Sequence, residues 1–202
     1  MRIKLLIAGS LAAGFALFAW QTISQVVVPW HEATMREFED APRVVEVIRA
    51  GAPENGMYFA GQGILAAVAF TPTMADKTSM EFMGPMLLRQ FATNMLIGLL
   101  LCLMLVTVQG VSPATGARIA AIAAAAAALT INVSNSIWYG FSMAFTLVNS
   151  VDLVIGWAIA GAVIGWLARR IAPSTQESHR HAAHTHGDPG SRVGSLRPLG
   201  KH

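Results

Sequence analysis

Hydrophobic residues form four long runs along the chain, and the stretches between them hold most of the charged residues. A helix that crosses a bilayer needs about 20 mostly apolar residues. The runs cover about residues 5–28, 88–108, 114–133 and 147–171. We therefore predict an all-α membrane protein in which four transmembrane helices pack as a bundle.

The first run has an alternative interpretation, because a secretory signal peptide also begins with basic residues and an apolar stretch. Arg2 and Lys4 precede this run. The run continues beyond Trp20 to Val28, however, and no Ala-x-Ala cleavage site lies at its end. Its length favours an uncleaved transmembrane helix.

Basic residues at both ends of the membrane domain predict its orientation. Arg2 and Lys4 precede the first run, and Arg169 and Arg170 follow the fourth. Loops rich in lysine and arginine favour the cytoplasmic side. Since an even number of spans returns the chain to its starting side, we predict that both termini are cytoplasmic. The loop between the first two spans then lies outside.

This outer loop, residues 29–87, contains signals for both helix and strand, so we expect a small periplasmic α/β insertion. One short helix is predicted over residues 31–39, and a second follows Asp40, a good N-cap residue, and ends near Gly51. Two short apolar runs around the sequence GQG then predict a two-stranded hairpin. The alternative is a single re-entrant segment over residues 57–71, although its glycines would interrupt a helix.

Composition supports a membrane protein and argues against most enzyme classes. Only 12% of the 202 residues are charged, whereas soluble domains have about 25%. The single cysteine, Cys102, excludes an intrachain disulfide and a cysteine-based metal site. The sequence contains no P-loop, GxSxG, HExxH or dinucleotide-binding motif, so we predict no cofactor and no enzyme. The net charge of +3 comes from basic residues near the chain ends, and we predict no nucleic-acid partner.

Polar residues within the spans concentrate near the predicted outer ends, where they form a predicted polar cluster. The cluster consists of Gln21, Gln25, Arg89, Asn94, Asn135 and Asp152. Such groups usually face protein or water, because hydrocarbon solvates them poorly. The favoured role is structural: Asp152 forms an ion pair with Arg89 and also acts on the N-terminus of its helix. The alternative is an outward-opening pocket in which Asp152 binds a proton or cation.

The histidines offer little support for a metal site. His31 stands alone after the first span, so a metal role would need distant partners, and packing at the membrane interface is favoured. Residues 172–202 are rich in polar and turn-forming residues, which predicts a disordered cytoplasmic tail. This tail contains a cluster of four histidines: His179, His181, His184 and His186. Metal binding in such a tail would be adventitious.

Two further patterns predict how the helices sit in the membrane. Aromatic residues around Trp138 and Tyr139 favour an outer interfacial belt. Gly161 and Gly165 have the GxxxG spacing that allows close helix contact. We expect this contact within the chain, with homodimerisation as the alternative.

Three stretches together resemble an uncharacterised group of small bacterial membrane proteins with four predicted spans and an outer loop. They are VVVPWHEATMREF, MGPMLLRQF and NSIWYGFSMAFTLVNSVDLVIGWAIAGAVIGW. The resemblance covers about residues 5–170 and does not include the His-rich tail. It implies a location in the bacterial inner membrane. It implies no activity and carries over no functional residue.

Three functions are consistent with this sequence. The favoured one is a non-enzymatic accessory or assembly subunit that binds a membrane-protein partner or a second copy of the chain. The alternative is a small transporter or channel-like protein that uses the outer polar cluster around Asp152 and Arg89. No continuous row of polar residues extends through the spans to the cytoplasmic side, which argues against transport. A membrane enzyme is weaker still, because His31, Asp152 and Tyr139 would have to converge.

Overall fold

The computed structural model of the protein describes residues 2–59, 61, 63–69 and 80–171. Within these ranges the chain is mostly helical, and four helices are long and apolar enough to cross a membrane. They cover Ile3–Val27, Met83–Leu105, Pro113–Tyr139 and Met143–Ile171. This confirms the predicted membrane-spanning helices. The predicted His-rich tail lies outside the described residues.

Each spanning helix begins before the apolar run that predicted it, and two of them contain a π-helical turn. Helix α1 covers Arg2–Thr22 and continues through a π-helical turn at Ile23–Val27. The other elements in chain order are α2 at Ala41–Gly51, α3 at Met80–Leu105, α4 at Pro113–Ala128, a π-helical turn at Leu129–Val133, α5 at Ser134–Tyr139 and α6 at Met143–Ile171. We call the end of the bundle where α1 finishes and α3 and α6 begin the loop end.

The connection between α1 and α3 contains the predicted hairpin. Strands β1 (Gly56–Phe59) and β2 (Leu65–Val68) pair antiparallel, with Gly56 opposite Val68. The alternative of one re-entrant helical segment is therefore wrong. Gly61 and Gly63 both have positive φ, which side-chain-bearing residues rarely adopt. These two glycines lie where the chain reverses direction between β1 and β2, and a continuous helix does not permit such a reversal.

The helix predicted over residues 31–39 is reduced to a 3₁₀ turn at Glu32–Thr34. The Thr34 hydroxyl donates to the His31 carbonyl at 2.7 Å, and the Thr34 amide donates to the same oxygen at 3.1 Å. Such local bonds compete with helix formation, and Met35 is already extended. Helix α2 begins as predicted, because the Asp40 carboxylate accepts a hydrogen bond from the Arg43 amide at 3.3 Å.

Helix α1 occupies the centre of the bundle. It packs against α3 on one side and against α6 on another, and α6 also packs along α4. Helices α3 and α6 contact each other much less extensively. The arrangement therefore places α1 between the two helices that carry Arg89 and Asp152.

Close packing between α4 and α6 depends on small residues. A Cβ added at Gly161 would overlap the backbone of Gly116, and one added at Gly165 would overlap the backbone of Ser112. Ala120 of α4 is fully buried in the same contact region. The predicted GxxxG face is thus used within the chain, since van der Waals contact between small residues is what brings membrane helices together.

The half of the bundle away from the loop end has an apolar core. Leu105 and Ile164 are almost completely buried there, and Cys102 is fully buried. The Cys102 thiol donates to the Leu5 carbonyl at 3.4 Å. Polar side chains with partners on other helices are concentrated toward the loop end, as the sequence pattern predicted.

Candidate functional site

Asp152 lies well inside α6 rather than at its beginning. The helix starts at Met143, nine residues earlier, which corresponds to about 14 Å along the axis at 1.5 Å per residue. The field of a helix terminus falls off within the first turn. The predicted action of Asp152 on the helix N-terminus is therefore wrong, because the helix begins earlier than the apolar run did.

The predicted ion pair between Asp152 and Arg89 is also wrong. Arg89 is exposed, and the two residues form no salt bridge in the structure. Instead, the Trp20 indole nitrogen donates to Asp152 Oδ1 at 2.7 Å, and His31 Nε2 lies 3.5 Å from Asp152 Oδ2. The reason is the central position of α1, whose Trp20 occupies the space next to Asp152 that the predicted pair required.

His31 reaches Asp152 because the chain folds back directly after α1. The π-helical turn ends α1, and Val28 and Pro29 then reverse the direction of the chain. The Trp30 indole nitrogen donates to both the carbonyl and the hydroxyl oxygen of Ser24, each at 3.1 Å. This anchor holds the next residue, His31, against the bundle.

We call the resulting group the His31–Asp152 cluster. It consists of Trp20, Ser24, Gln25, Trp30, His31 and Asp152. Three elements contribute to it: α1, the fold-back after α1, and α6. The Trp30 ring meets the Trp20 and His31 rings edge to face, with centroid distances of 6.4 and 5.6 Å.

The centre of the cluster is shielded from solvent, whereas Trp20 and Trp30 are half-buried and Gln25 is exposed at its edge. The side chains of His31 and Asp152 are 8% and 12% exposed, and Ser24 is completely buried. Burying polar groups without partners is costly. Among the described residues, no buried side-chain nitrogen or oxygen lacks a hydrogen-bond partner. Hydrogen bonds from other groups of the protein therefore offset the cost of burying these polar side chains.

The arrangement around His31 does not form a nucleophilic triad. In such a triad one imidazole nitrogen contacts the nucleophile and the other contacts the carboxylate. Here Ser24 Oγ, at 3.2 Å, and Asp152 Oδ2, at 3.5 Å, both approach Nε2. His31 and Asp152 do converge, as the enzyme interpretation required, but Tyr139 is 53% exposed and bonds to neither.

The same geometry suits a shared proton. When Nε2 carries a proton, it can donate to the Asp152 carboxylate or to the Ser24 hydroxyl. When Nε2 is unprotonated, it can accept from Ser24 Oγ at 3.2 Å and from Gln25 Nε2 at 3.1 Å. His31 Nε2 therefore keeps a hydrogen-bond partner whether or not this nitrogen carries the proton.

A second, separate cluster joins α1 to α3. Gln21 Oε1 accepts hydrogen bonds from Gln90 Nε2 and from Asn94 Nδ2, both at 2.8 Å. Gln90 Nε2 also lies 3.3 Å from Asn94 Oδ1. Asn94 is completely buried. We call this group the amide cluster. Its hydrogen bonds connect α1 to α3.

The structure thus divides the predicted polar cluster. Gln25 and Asp152 belong to the His31–Asp152 cluster, Gln21 and Asn94 belong to the amide cluster, and Arg89 belongs to neither. Asn135 is half-buried on α5, and its side chain bonds to none of these residues. In the π-helical turn after α4, the Asn132 side-chain amide instead donates to the Ser150 hydroxyl of α6 at 3.2 Å.

The sequence reasoning missed the two tryptophans that build the site. Trp20 and Trp30 both use their indole N–H groups in it. The available signal was chemical, since a buried tryptophan usually finds a partner for its N–H. His31 directly follows Trp30 in the sequence, so the bonds of Trp30 to Ser24 also position His31. No group of three or more potential metal ligands occurs among the described residues.

Comparisons with known protein families, curated proteins and solved structures found no match for this chain. The fold and the site are therefore the basis for classification. Four spanning helices with polar clusters buried between them define a multi-pass membrane protein. The resemblance to small bacterial membrane proteins stays a prediction.

Proposed function

We propose that this chain is a non-enzymatic accessory or assembly subunit that binds another membrane protein along α3. In this proposal it resides in a bacterial inner membrane with both termini in the cytoplasm. The observation that carries the proposal is the position of Arg89, which is exposed on the lateral surface of a membrane-spanning helix.

An exposed arginine near the end of a span costs free energy against lipid, although less than an arginine at the bilayer centre. Arg89 lies six residues inside the span that begins at Met83, which is about 9 Å along the helix, and it is the second residue of the apolar run 88–108. Placing an arginine in hydrocarbon costs about 2.5–3.5 kcal/mol at the centre of an inserted helix, and less toward its ends. No carboxylate among the described residues forms a salt bridge with it. A carboxylate or amide on a neighbouring protein would remove this cost.

Polar groups next to Arg89 extend the same surface. Thr93 is exposed one turn further along α3, and Gln90 is the exposed member of the amide cluster on this helix. Side chains of this type hydrogen-bond across helix interfaces in membranes. Arg118 on α4 is exposed as well, but Ile122, one turn further along α4, is 65% exposed and apolar, and the Arg118 side chain can snorkel to the interface.

The geometry of the His31–Asp152 cluster supports a role without catalysis. Its serine and carboxylate share one imidazole nitrogen, and the completely buried Ser24 is closed off from a substrate. The cluster instead connects the fold-back after α1 to α6. We assign it the role of holding the loop end of the bundle in one conformation, so that a partner meets a preorganised surface.

Site-specific photo-crosslinking in native membranes tests the proposal. A photoreactive residue replaces Thr93, and the matched control replaces Leu88, which is 69% exposed on another side of the same helix. We expect one discrete adduct with a membrane protein from Thr93 only, and we expect Arg89→Leu to abolish it. Lipid adducts alone, or the same adducts from both positions, would contradict a partner on this surface.

A proton-coupled transporter is the second candidate, favoured by the depth of Asp152 inside α6 and by its contact with His31. Intramembrane carboxylates commonly serve proton or ion pathways. The apolar core around Leu105 and Ile164 makes this the weaker candidate. Proton flux into vesicles containing the purified protein is the measurement. Flux that Asp152→Asn removes from a folded protein would favour transport over an accessory role.

A further inference from the structure

Helix α2 has two different sides, although it is only 11 residues long. Successive residues of a helix are rotated by about 100°, so Val44, Val45, Val47 and Ile48 fall within one arc. This arc is about 160° wide when it is counted from Val47 through to Val45. Glu46 lies roughly opposite its centre. The helix therefore presents an aliphatic surface and a polar surface.

The aliphatic surface is not fully covered by the rest of the protein. Val45 and Val47, at its two edges, are 48% and 65% exposed, and Val44 and Ile48, at its centre, are half-buried. No residue of α2 is classed as buried. Exposed aliphatic residues that gather on one side of a helix indicate a membrane or protein contact.

The positions of the charges distinguish between these two contacts. Around the helix axis, Arg43 lies about 40° outside Val47, at one edge of the aliphatic arc. Arg49 lies about 40° outside Val45, at the other edge. Glu46 occupies the middle of the polar side. Arginines beside the apolar surface and an acid far from it suit a helix lying at the surface of a bilayer. Their aliphatic stems reach along the apolar surface while the guanidinium groups stay at the phosphate level.

We propose that α2 lies in the interface of the membrane that the bundle spans. Its valine and isoleucine side would enter the acyl boundary, and Arg43 and Arg49 would contact phospholipid phosphates. This inference does not depend on the proposed partner at α3, because it concerns a different surface and a different ligand.

The connection to the bundle brings α2 within reach of the bilayer. The cluster holds the chain at His31, and the 3₁₀ turn that follows, Glu32–Thr34, contacts α6. Six residues, 35–40, then link Thr34 to Ala41, the first residue of α2. The seven Cα–Cα steps from Thr34 to Ala41 span at most about 25 Å when fully extended. The tether makes binding intramolecular, which raises the effective concentration of the lipid surface.

The acidic residues before α2 argue against a requirement for anionic lipid. Glu37, Glu39 and Asp40 carry negative charge directly ahead of the two arginines of the helix. They oppose attraction by a negatively charged membrane surface. Lipid contact therefore relies on apolar burial and on local arginine–phosphate contacts, both of which a zwitterionic phosphatidylcholine bilayer supplies.

Spin-label accessibility in the full-length protein tests this inference. Cys102→Ser removes the native cysteine and retains a donor for the Leu5 carbonyl. A single cysteine is then introduced as Val47→Cys on the aliphatic side, or as Glu46→Cys on the polar side as the matched control. Each is labelled with a nitroxide in phosphatidylcholine vesicles. The collision rate of the nitroxide with oxygen, which concentrates in lipid, is compared with its collision rate with a water-soluble nickel chelate.

We expect the oxygen-to-nickel collision ratio to be several-fold higher at Val47 than at Glu46. Replacing both arginines, as Arg43→Glu and Arg49→Glu, should lower the ratio at Val47 toward that of the control. Equal and high nickel collisions at both positions would mean that α2 is free in water. A Val47 label protected from both reagents would mean that protein covers it. Either result would overturn the inference.

Discussion

Removing the Asp152 carboxylate is expected to destabilise the protein far more than an exposed charge would. The Asp152 and His31 side chains are 12% and 8% exposed, so solvent cannot replace the lost interactions. Asp152→Ala removes the acceptor of the 2.7 Å bond from Trp20. Hydrogen bonds to charged groups contribute about 1.5–3 kcal/mol. It also leaves His31 without the carboxylate oxygen at 3.5 Å, so we expect a total loss near the upper end of that range, about 3 kcal/mol.

The conservative variant separates hydrogen bonding from charge. Asp152→Asn keeps an oxygen that accepts from Trp20, so we expect a loss of about 1–2 kcal/mol. The assay is the free energy of unfolding in bicelles, titrated with a denaturing detergent and followed by circular dichroism. Equal losses for the two variants would contradict the assignment of Trp20 as a main partner.

A double-mutant cycle tests the pairing itself. We expect His31→Ala and Asp152→Ala to show a coupling energy of about 1–3 kcal/mol, in the range measured for residues that share one network. The matched control is the cycle of Arg89→Ala with Asp152→Ala, which should be additive within about 0.5 kcal/mol. Additivity in the His31 cycle, or coupling in the Arg89 cycle, would refute this reading of the site.

Three other predictions address packing, the amide cluster and orientation. Gly161→Ala should cost about 1–3 kcal/mol through overpacking, because its Cβ would overlap Gly116, whereas Gly51→Ala, with open space around it, should change the unfolding free energy by less than about 0.5 kcal/mol. Asn94→Ala should cost about 0.5–2 kcal/mol in the same assay, since it strips a buried donor from the bond to α1; no change would mean that this bond is dispensable. Reporter fusions after residues 50 and 175 should report opposite sides of the membrane, and the same side at both would exclude the predicted topology.

The elements of this fold that depend on nearby residues could be predicted from the sequence. Four apolar runs predicted four spanning helices, because the bilayer sets one length for every such helix. Asp40 caps α2 as expected, since a cap bonds to an amide only a few residues away, and Ser112 caps α4 in the same way. The hairpin followed from short apolar runs separated by glycines.

Helix ends were harder to predict, because hydropathy marks the lipid-contacting length and not the length of the helix. Helix α6 begins at Met143, before its apolar run, and this places Asp152 in the interior of the helix. The π-helical turns have no pattern that we identified in the sequence. They lie toward the loop end in α1 and between α4 and α5.

The choice of partners for the polar residues was decided only by the tertiary structure. The sequence showed that Arg89 and Asp152 enter the membrane near the same end, and their opposite charges predicted a pair. Depth along a helix does not specify which helices are neighbours, however. Because α1 packs between α3 and α6, its Trp20 and the His31 that follows it reach the carboxylate, while Arg89 is left on the outer surface of the bundle.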